Sequence, residues 1–184
     1  MGEYMNYLIL VNKDNGLSKL YKPSNLVKIK SKINKDIYLE KKTYKEAERM
    51  LNDLNKELSN VEVIIDSGYR SFNYQEELNN IEPHNVGITL AKAGYSEHQT
   101  GLAIDVGFIK DGLHDPYYNI DDYQEEFKWL KENSYKYGFI LRYPLGKENI
   151  TGYKYEPWHF RYIGNLANYL YKKNKTLEEF FNVK

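Results

Sequence analysis

The hydrophobic residues of this chain lie in short segments of two kinds, which follow one another in no regular order. Some segments alternate with the period of two that is typical of strands, such as 102–106, and others have helical spacing, such as 43–59. The order shows neither a βαβ rhythm nor an internal repeat. It therefore predicts one α+β domain over residues 1–184, with a small, mainly antiparallel sheet flanked by helices.

Each element is predicted from a local pattern. Thr43 with Glu46, and Thr176 with Glu179, have the spacing of helix capping boxes, and Asn73 is a candidate cap for another helix. The predicted helices are 43–59, 74–80, 121–133 and a short last helix after Thr176. The predicted strands are 7–11, 61–65, 102–106, 139–143 and 158–163.

Composition excludes several classes of protein. The 26 basic and 26 acidic residues cancel, which argues against a general nucleic-acid binder or a strongly cationic membrane-surface protein. The absence of cysteine excludes disulfides, thiolate zinc sites and a cysteine nucleophile. No segment approaches the roughly 18 consecutive apolar residues of a membrane span, and the N-terminus has no signal-peptide pattern.

Two of the four histidines lie close to acidic residues in the sequence. His98 precedes Asp105 in the segment 96–105, and His159 follows Glu156. Two imidazoles and a carboxylate are a recurring ligand set for catalytic zinc, and a second carboxylate that does not bind the metal can act as general base. The same spacing also fits two hydrogen-bonded structural histidines, with Glu156 paired to Arg161 or another surface charge.

The spacing of His98 and Asp105 requires a break in the chain. The two are seven residues apart, and an odd separation on a straight strand places side chains on opposite faces. Gly101 tolerates backbone conformations that other residues avoid, so we expect a bend or bulge there. After the bend, Asp105 shares a strand face with the small Ala103, which leaves room for a metal.

Two further segments bear on the site. Pro157, between Glu156 and His159, prevents a helix interior, so the pair does not form the helical H-E-x-x-H arrangement and a tight turn is expected. Arg70 follows a predicted strand, where its guanidinium can donate to a carboxylate or an oxyanion. Taken alone, this segment is better explained by a surface arginine in a Ser/Gly turn. His84 and His114 lie in polar surroundings and are assigned no role beyond solvent-exposed histidines.

Together these segments resemble the D-alanyl-D-alanine carboxypeptidases of the VanY type, whose wider group includes D,D-dipeptidases, L,D-carboxypeptidases and phage endopeptidases. The resemblance is carried by residues 67–71 (SGYRS), 96–105 (SEHQTGLAID) and 156–162 (EPWHFRY), with weaker support from 10–13 and 137–144. In order and spacing it covers nearly the whole chain. It implies the hedgehog/DD-peptidase-like form of the α+β fold.

The resemblance also implies roles for individual residues. Glu156 would be the catalytic base, and Arg70 would face the scissile carbonyl or the terminal carboxylate of the substrate. Ser96, with Gln75 as a second candidate, would help to hold that carboxylate. The ligands of one zinc ion would be His98, Asp105 and His159.

The implied activity is removal of the C-terminal D-alanine from a peptidoglycan stem peptide or from a D-Ala-D-Ala-terminated precursor. The stretch between Arg70 and Ser96 is short for some relatives, so the alternatives are an L,D-carboxypeptidase, a D-Ala-D-Ala dipeptidase or an L-Ala-D-Glu endopeptidase. A zinc-stabilised binding module without catalysis is a further alternative, against which the intact Glu156 argues.

The sequence also leads to expectations about the oligomeric state and the cellular location of the protein. We expect a monomer that acts at the cell envelope or outside the cell, with an export or anchor segment outside this sequence. A cytoplasmic enzyme acting on precursors is the alternative.

Overall fold

The protein is described by a computed structural model over residues 6–58, 61–87, 90–116 and 119–183. The strands are β1 (Leu26–Lys28), β2 (Tyr38–Glu40), β3 (Glu62–Ser67), β4 (Ala103–Lys110), β5 (Leu113–Asp115), β6 (Phe139–Leu141) and β7 (His159–Tyr162). The α-helices are α1 (Lys41–Glu57), α2 (Phe72–Ile81), α3 (Gln124–Asn133), α4 (Glu148–Thr151), α5 (Leu166–Lys173) and α6 (Leu177–Phe181). Within these ranges, four 3-10 turns cover Pro83–Asn85, Glu97–Thr100, Ile120–Tyr123 and Ser134–Tyr137.

Across the described ranges, the main sheet has the strand order β3-β4-β7-β6, and β5 pairs with the distal half of β4. Every pairing within it is antiparallel. Strands β1 and β2 form a separate antiparallel ribbon. The predicted α+β class with a small antiparallel sheet is therefore confirmed.

One face of the sheet forms the hydrophobic core. The even-numbered residues of β4 from Ile104 to Phe108 point into it and are almost fully buried, opposite Phe160 of β7. Helix α1 packs on this face through fully buried residues at helical spacing, namely Ala47, Met50 and Leu54. Burying a large apolar side chain stabilises a fold by about 1.5–3 kcal/mol, so this face supplies much of the stability.

The opposite face of the sheet is polar. Asp105 pairs directly with His159, and Ala103 pairs with Arg161, in the register between β4 and β7. Because side chains alternate across a strand, these residues share the face that the core does not occupy. The fold thus places ionisable groups in a row behind the core.

The apolar segment 7–11, predicted as a strand, is a turn followed by irregular chain. The carbonyl oxygens of Tyr7 and Ile9 accept hydrogen bonds from Nη2 of Arg161 at 3.2 and 2.7 Å. Since a side chain satisfies these acceptors, the segment needs no neighbouring strand. The prediction was wrong because a distant arginine takes the place of the strand ladder.

Two helix caps also differ from the prediction. Helix α1 is capped by Glu40, whose Oε2 accepts from the backbone N–H of Lys42 and Thr43 at 2.9 and 2.8 Å. Helix α2 is capped by Ser71 in place of Asn73, at 3.1 Å from the N–H of Tyr74. Both helices therefore begin two residues earlier than predicted.

The remaining helices agree more closely with their patterns. The capping box of Thr176 and Glu179 is present at the start of α6. The segment 121–133 begins as a 3-10 turn before it continues as α3. None of the helices in the described ranges combines the length and apolar character that a bilayer crossing requires.

The predicted break at Gly101 is confirmed. Gly101 ends the 3-10 turn Glu97–Thr100 with φ of 71°, and its N–H donates to the carbonyl of His98 at 3.1 Å. His98 therefore lies on a turn and Asp105 on the strand that follows it. Because of this bend, the two side chains are not forced onto opposite faces, as they would be on one continuous strand.

Gly101→Val should weaken divalent-metal binding without changing any ligand. A side chain at this left-handed position is strained by about 1–3 kcal/mol, and its Cβ would also lie 3.0 Å from Cδ2 of Leu26. Gly112→Val, just beyond the far end of β4, is the matched control. Gly112 has a similar φ of 78°, but a Cβ there would meet no atom of the described residues within 4 Å. Metal affinity measured by competition with a chelator should fall for the Gly101 variant alone. Unchanged affinity in that variant would contradict the role of the bend.

Candidate active site

Three segments of the chain meet at Asp105 on the polar face of the sheet. Oδ1 of Asp105 lies 3.0 Å from Nδ1 of His159, its cross-strand neighbour. Oδ2 lies 3.1 Å from Nε2 of His98, which the turn before Gly101 brings back over the strand. The two imidazole rings are edge to face with centroids 5.0 Å apart. The structure thus brings the three predicted ligands together.

The segment after β3 orients His98. The carbonyl oxygen of Gly68 lies 2.6 Å from Nδ1 of His98, and the N–H of Arg70 donates to the carbonyl of His98 at 3.1 Å. A Cβ on Gly68 would lie 2.5 Å from the carbonyl oxygen of Tyr38, so only glycine permits this approach. Because a carbonyl only accepts, Nδ1 carries the proton and Nε2 faces Asp105 with a lone pair.

The donor set fits a zinc ion. One ligand atom from each of His98, Asp105 and His159 lies within 4.8 Å of the others. Nε2 of His98 is buried, and because the ring proton is on Nδ1, it has no proton to donate to Oδ2 of Asp105 and no hydrogen-bond partner among the described residues. Two imidazole nitrogens and one carboxylate oxygen are ligands that zinc accepts in catalytic sites. A bound metal ion would satisfy this buried nitrogen at the centre of the set.

The electrostatics differ between the two histidines. Burial, together with the nearby charge of Arg70, lowers the pKa of His98 to about 4, so this imidazole is neutral. Burial also disfavours charge on His159, but hydrogen bonds to Asp105 and Glu97 outweigh it and raise its pKa to about 9. Although burial opposes ionisation of Asp105, the two histidines hold its pKa well below the ordinary value. The centre is therefore built around one ionised carboxylate.

Glu156 lies beside this group, as its sequence position predicts. The tight turn through Pro157 is closed by a hydrogen bond from the N–H of His159 to the carbonyl of Glu156 at 3.2 Å. Oε2 of Glu156 lies 3.9 Å from Nδ1 of His159. Burial raises the pKa of Glu156 to about 7, with Asp105 adding to the shift and His159 opposing it. A carboxyl group of this kind can take up and release a proton near neutrality.

Arg70 lies at the edge of the site. Its Nη2 is 3.8 Å from Oδ2 of Asp105, and its buried Nε has no hydrogen-bond partner among the described residues. Both groups line a groove of about 620 Å³. The other walls of the groove come from β3, the segment after it, α2 and the loop before β2, including Ile37, Asp66, Tyr69, Tyr74 and Leu78. Arg70 therefore lies in the wall of a groove that also reaches Asp105.

The two other substrate-binding candidates, Ser96 and Gln75, are both buried. Ser96 is buried at the start of the 3-10 turn that carries His98. Gln75 is buried on α2 and donates to the carbonyl of Ala91 at 2.8 Å, while its Oε1 has no partner in the described ranges. Substrate binding by these two residues stays a prediction. His84 is exposed as expected, whereas His114 is partly buried with Nε2 at 2.9 Å from Oδ1 of Asp66.

A buried ionic network, which was not predicted from the sequence, lies behind the site. Oε1 of Glu97 accepts from Nε of Arg142 at 2.8 Å and from Nη1 of Arg161 at 2.7 Å. The other side of Arg142 donates to both carboxylate oxygens of Glu178, from Nη1 at 2.9 Å and from Nη2 at 2.5 Å. All four side chains are at most 1% exposed. Arg161 thus pairs with Glu97, and the alternative pairing with Glu156 was wrong.

One signal for this network was present in the sequence. Arg161 lies two residues after His159 on a predicted strand, so the two must share a face. No comparable signal marked Glu97, Arg142 or Glu178, because charged residues are almost never fully buried unless they are paired, and pairing is a tertiary property.

The family model of VanY D-alanyl-D-alanine carboxypeptidases matches residues 36–165 of this chain. A curated relative is the bifunctional D-Ala-D-Ala dipeptidase and D-Ala-D-Ala carboxypeptidase VanXYC of Enterococcus gallinarum. It is 38% identical over 187 residues, which span 96% of this chain and 94% of the relative. Other relatives are longer, and the chain spans 67% of one from Bacillus subtilis and 58% of one from Enterococcus faecium.

Solved structures agree with this match. The LdcB LD-carboxypeptidase superposes with a TM-score of 0.82 at 38% identity, covering 98% of this chain and 88% of LdcB. A vancomycin-resistance D,D-pentapeptidase VanY, solved with Zn(II), superposes with a TM-score of 0.75 at 31% identity, covering 96% of this chain and 99% of VanY. The sequence match, the fold and the converging motifs agree, and the chain belongs to the VanY family of D-alanyl-D-alanine carboxypeptidases.

Proposed function

We propose that the protein is a zinc-dependent D,D-carboxypeptidase that removes the C-terminal D-alanine from peptidoglycan stem peptides or their precursors. The observation that carries the proposal is the buried group of His98, Asp105 and His159, with Glu156 directly beside it. A structural zinc site needs no unligated carboxylate, whereas hydrolysis requires a base in that position. The non-catalytic binding module is therefore the weaker alternative.

In this proposal one zinc ion is held by Nε2 of His98, the carboxylate of Asp105 and Nδ1 of His159. When bound, zinc supplies Lewis-acid chemistry that makes a water acidic near neutral pH and polarises a carbonyl oxygen. The zinc complex of VanY supports this choice of metal. His98 contributes a neutral imidazole, and Gly68 fixes the orientation of its ring.

Glu156 moves the protons in the proposed reaction. Its carboxylate takes a proton from the attacking water, and the protonated acid then gives it to the amine of the departing D-amino acid. A pKa of about 7 suits both halves of this cycle, because neither protonation state is then strongly favoured.

Arg70 stabilises negative charge on the substrate in this proposal. Its guanidinium, which lacks a hydrogen-bond partner at Nε among the described residues, can donate to the developing oxyanion or to the terminal carboxylate. Ser96 and Gln75 remain the candidates for additional donors to that carboxylate. The groove beside Arg70 and Asp105 would receive the peptide on this account.

Two assignments of the cleaved bond compete, that of a D,D-carboxypeptidase and that of an L,D-carboxypeptidase. VanXYC is a D-Ala-D-Ala dipeptidase and carboxypeptidase, and VanY is a D,D-pentapeptidase, which favours the D,D-carboxypeptidase. The similarity to LdcB, with a TM-score of 0.82, favours an L,D-carboxypeptidase, which would trim tetrapeptides. The substrates of both carboxypeptidases are peptides of peptidoglycan, so we propose that the enzyme acts at the cell envelope.

Product analysis should show D,D-carboxypeptidase activity. With zinc present, the full chain should release one D-alanine from a D-Ala-D-Ala-terminated pentapeptide faster than from the matched tetrapeptide, as measured by mass spectrometry. Free D-Ala-D-Ala, included as a dipeptidase control, should be cleaved more slowly. Preferential cleavage of the tetrapeptide would contradict the D,D assignment and establish the L,D alternative.

Glu156→Gln should abolish turnover and retain zinc. Loss of a general acid–base group typically costs about 10²–10⁴-fold in rate, and Glu156 is not one of the proposed ligands. Glu132→Gln is the control, since Glu132 is an exposed carboxylate on α3. The measurements are kcat on the pentapeptide and zinc content. Turnover at the parent rate by Glu156→Gln or Glu156→Ala would contradict its role.

Removal of the metal should stop catalysis and lower thermal stability. A ligand that binds only the folded state stabilises it by about 2.7 kcal/mol when its concentration is 100 times its Kd. Calorimetry should show a higher Tm when zinc is added to the chelator-treated protein, together with recovery of D-alanine release. His98→Ala should lose both responses. A full zinc response in His98→Ala would contradict the assigned ligand set.

A further inference from the structure

The imidazole of His159 is held between two carboxylates. Nδ1 lies 3.0 Å from Oδ1 of Asp105, and Nε2 lies 3.4 Å from Oε2 of Glu97. Nδ1 is also the nitrogen that faces Glu156, at 3.9 Å. The reacting side of the ring is therefore its Nδ1 side, and Glu97 lies behind it.

The state of Glu97 is fixed by its other oxygen. Oε1 accepts hydrogen bonds from two buried guanidinium groups, those of Arg142 and Arg161. Two adjacent positive charges favour the carboxylate over the carboxylic acid. An ionised carboxylate only accepts hydrogen bonds, so the proton between Glu97 and His159 belongs to Nε2.

We propose that Glu97 is a positioning residue for the metal centre: its Oε2 keeps a proton on Nε2 of His159, so that Nδ1 presents its lone pair to the metal. The inference rests on the proposed function, because it assumes that the group binds zinc. In this proposal Glu97 contacts neither the metal nor the substrate, and it acts through the metal ligand His159. A histidine ligand is commonly oriented by a carboxylate on its second nitrogen.

The network behind Glu97 connects the Glu97–His159 pair to both ends of the described chain. Arg142 also binds Glu178 on α6, and Glu178 accepts from Nδ2 of Asn12 at 3.2 Å. Arg161 donates to the carbonyls of the segment 7–11. The Glu97 carboxylate is thus one member of a buried network that reaches the first and last described segments of the fold.

Glu97→Gln tests the proposal with an isosteric side chain. The two guanidinium groups will take the amide oxygen, so the NH2 group will face Nε2 and donate to it. That donation forces the ring proton onto Nδ1, where it blocks the metal. Loss of such a partner typically weakens metal binding by about 10–100-fold.

Glu178→Gln is the matched control, because it removes one charge from the same buried network and its hydrogen bonds go to Arg142, away from His159. Zinc dissociation constants of the full-length variants should be measured by chelator competition, together with Tm values without metal. We expect both variants to lose thermal stability and only Glu97→Gln to lose zinc affinity. Unchanged affinity in Glu97→Gln, or equal losses in both variants, would overturn the proposal.

A second measurement does not depend on whether the variant folds. In the zinc-loaded, ¹⁵N-labelled parent, NMR should show the His159 ring proton on Nε2, protected from exchange; a proton on Nδ1 would overturn the proposal. The two inferences also fail separately. Zinc binding without D-alanine release would overturn the proposed activity alone, and an active parent with a zinc-tight Glu97→Gln variant would overturn the role of Glu97 alone.

Discussion

The site depends on the register between β4 and β7, which sets Asp105 directly opposite His159. Their neighbours Ile104 and Phe160 are paired in the same register and fully buried on the core face. A slip of one residue in either strand would move its apolar set to the polar face and its site residue into the core. The hydrophobic effect that stabilises the sheet therefore also fixes the geometry of the site.

The polar face is stable because its charges are matched. Two arginines and two glutamates are buried behind the candidate metal-binding group. Arg142 donates to Glu97 and Glu178, and Arg161 donates to Glu97. Removing one partner of such a buried pair typically costs about 3–5 kcal/mol, because the other charge is left uncompensated. Such a network tolerates little displacement, and it lies directly against His159. Ionic contacts on one face of the sheet and apolar packing on the other thus hold the candidate metal-binding residues in place.

Much of this arrangement follows from the sequence, because its causes are local. Because His98 and Asp105 are an odd number of residues apart, they can lie on the same side only if the chain bends between them. Gly101 provides this bend with a left-handed backbone conformation. Helix α1 follows from its apolar period, and the turn before His159 follows from Pro157. What could not be predicted is non-local. Segment 7–11 has the composition of a strand, but Arg161 binds the carbonyls of Tyr7 and Ile9. The pairing of Glu97 with two arginines appears only when the residue after β6, strand β7 and the 3-10 turn meet.

The central claim is that one zinc ion is bound by His98, Asp105 and His159, with Glu156 left free to act as base. Anomalous diffraction at the zinc edge, on crystals grown with zinc, tests this most directly. The account predicts one peak within about 2.0–2.2 Å of Nε2 of His98, Nδ1 of His159 and a carboxylate oxygen of Asp105. A peak at another site, coordination through Nε2 of His159, or direct ligation by Glu156 would contradict it.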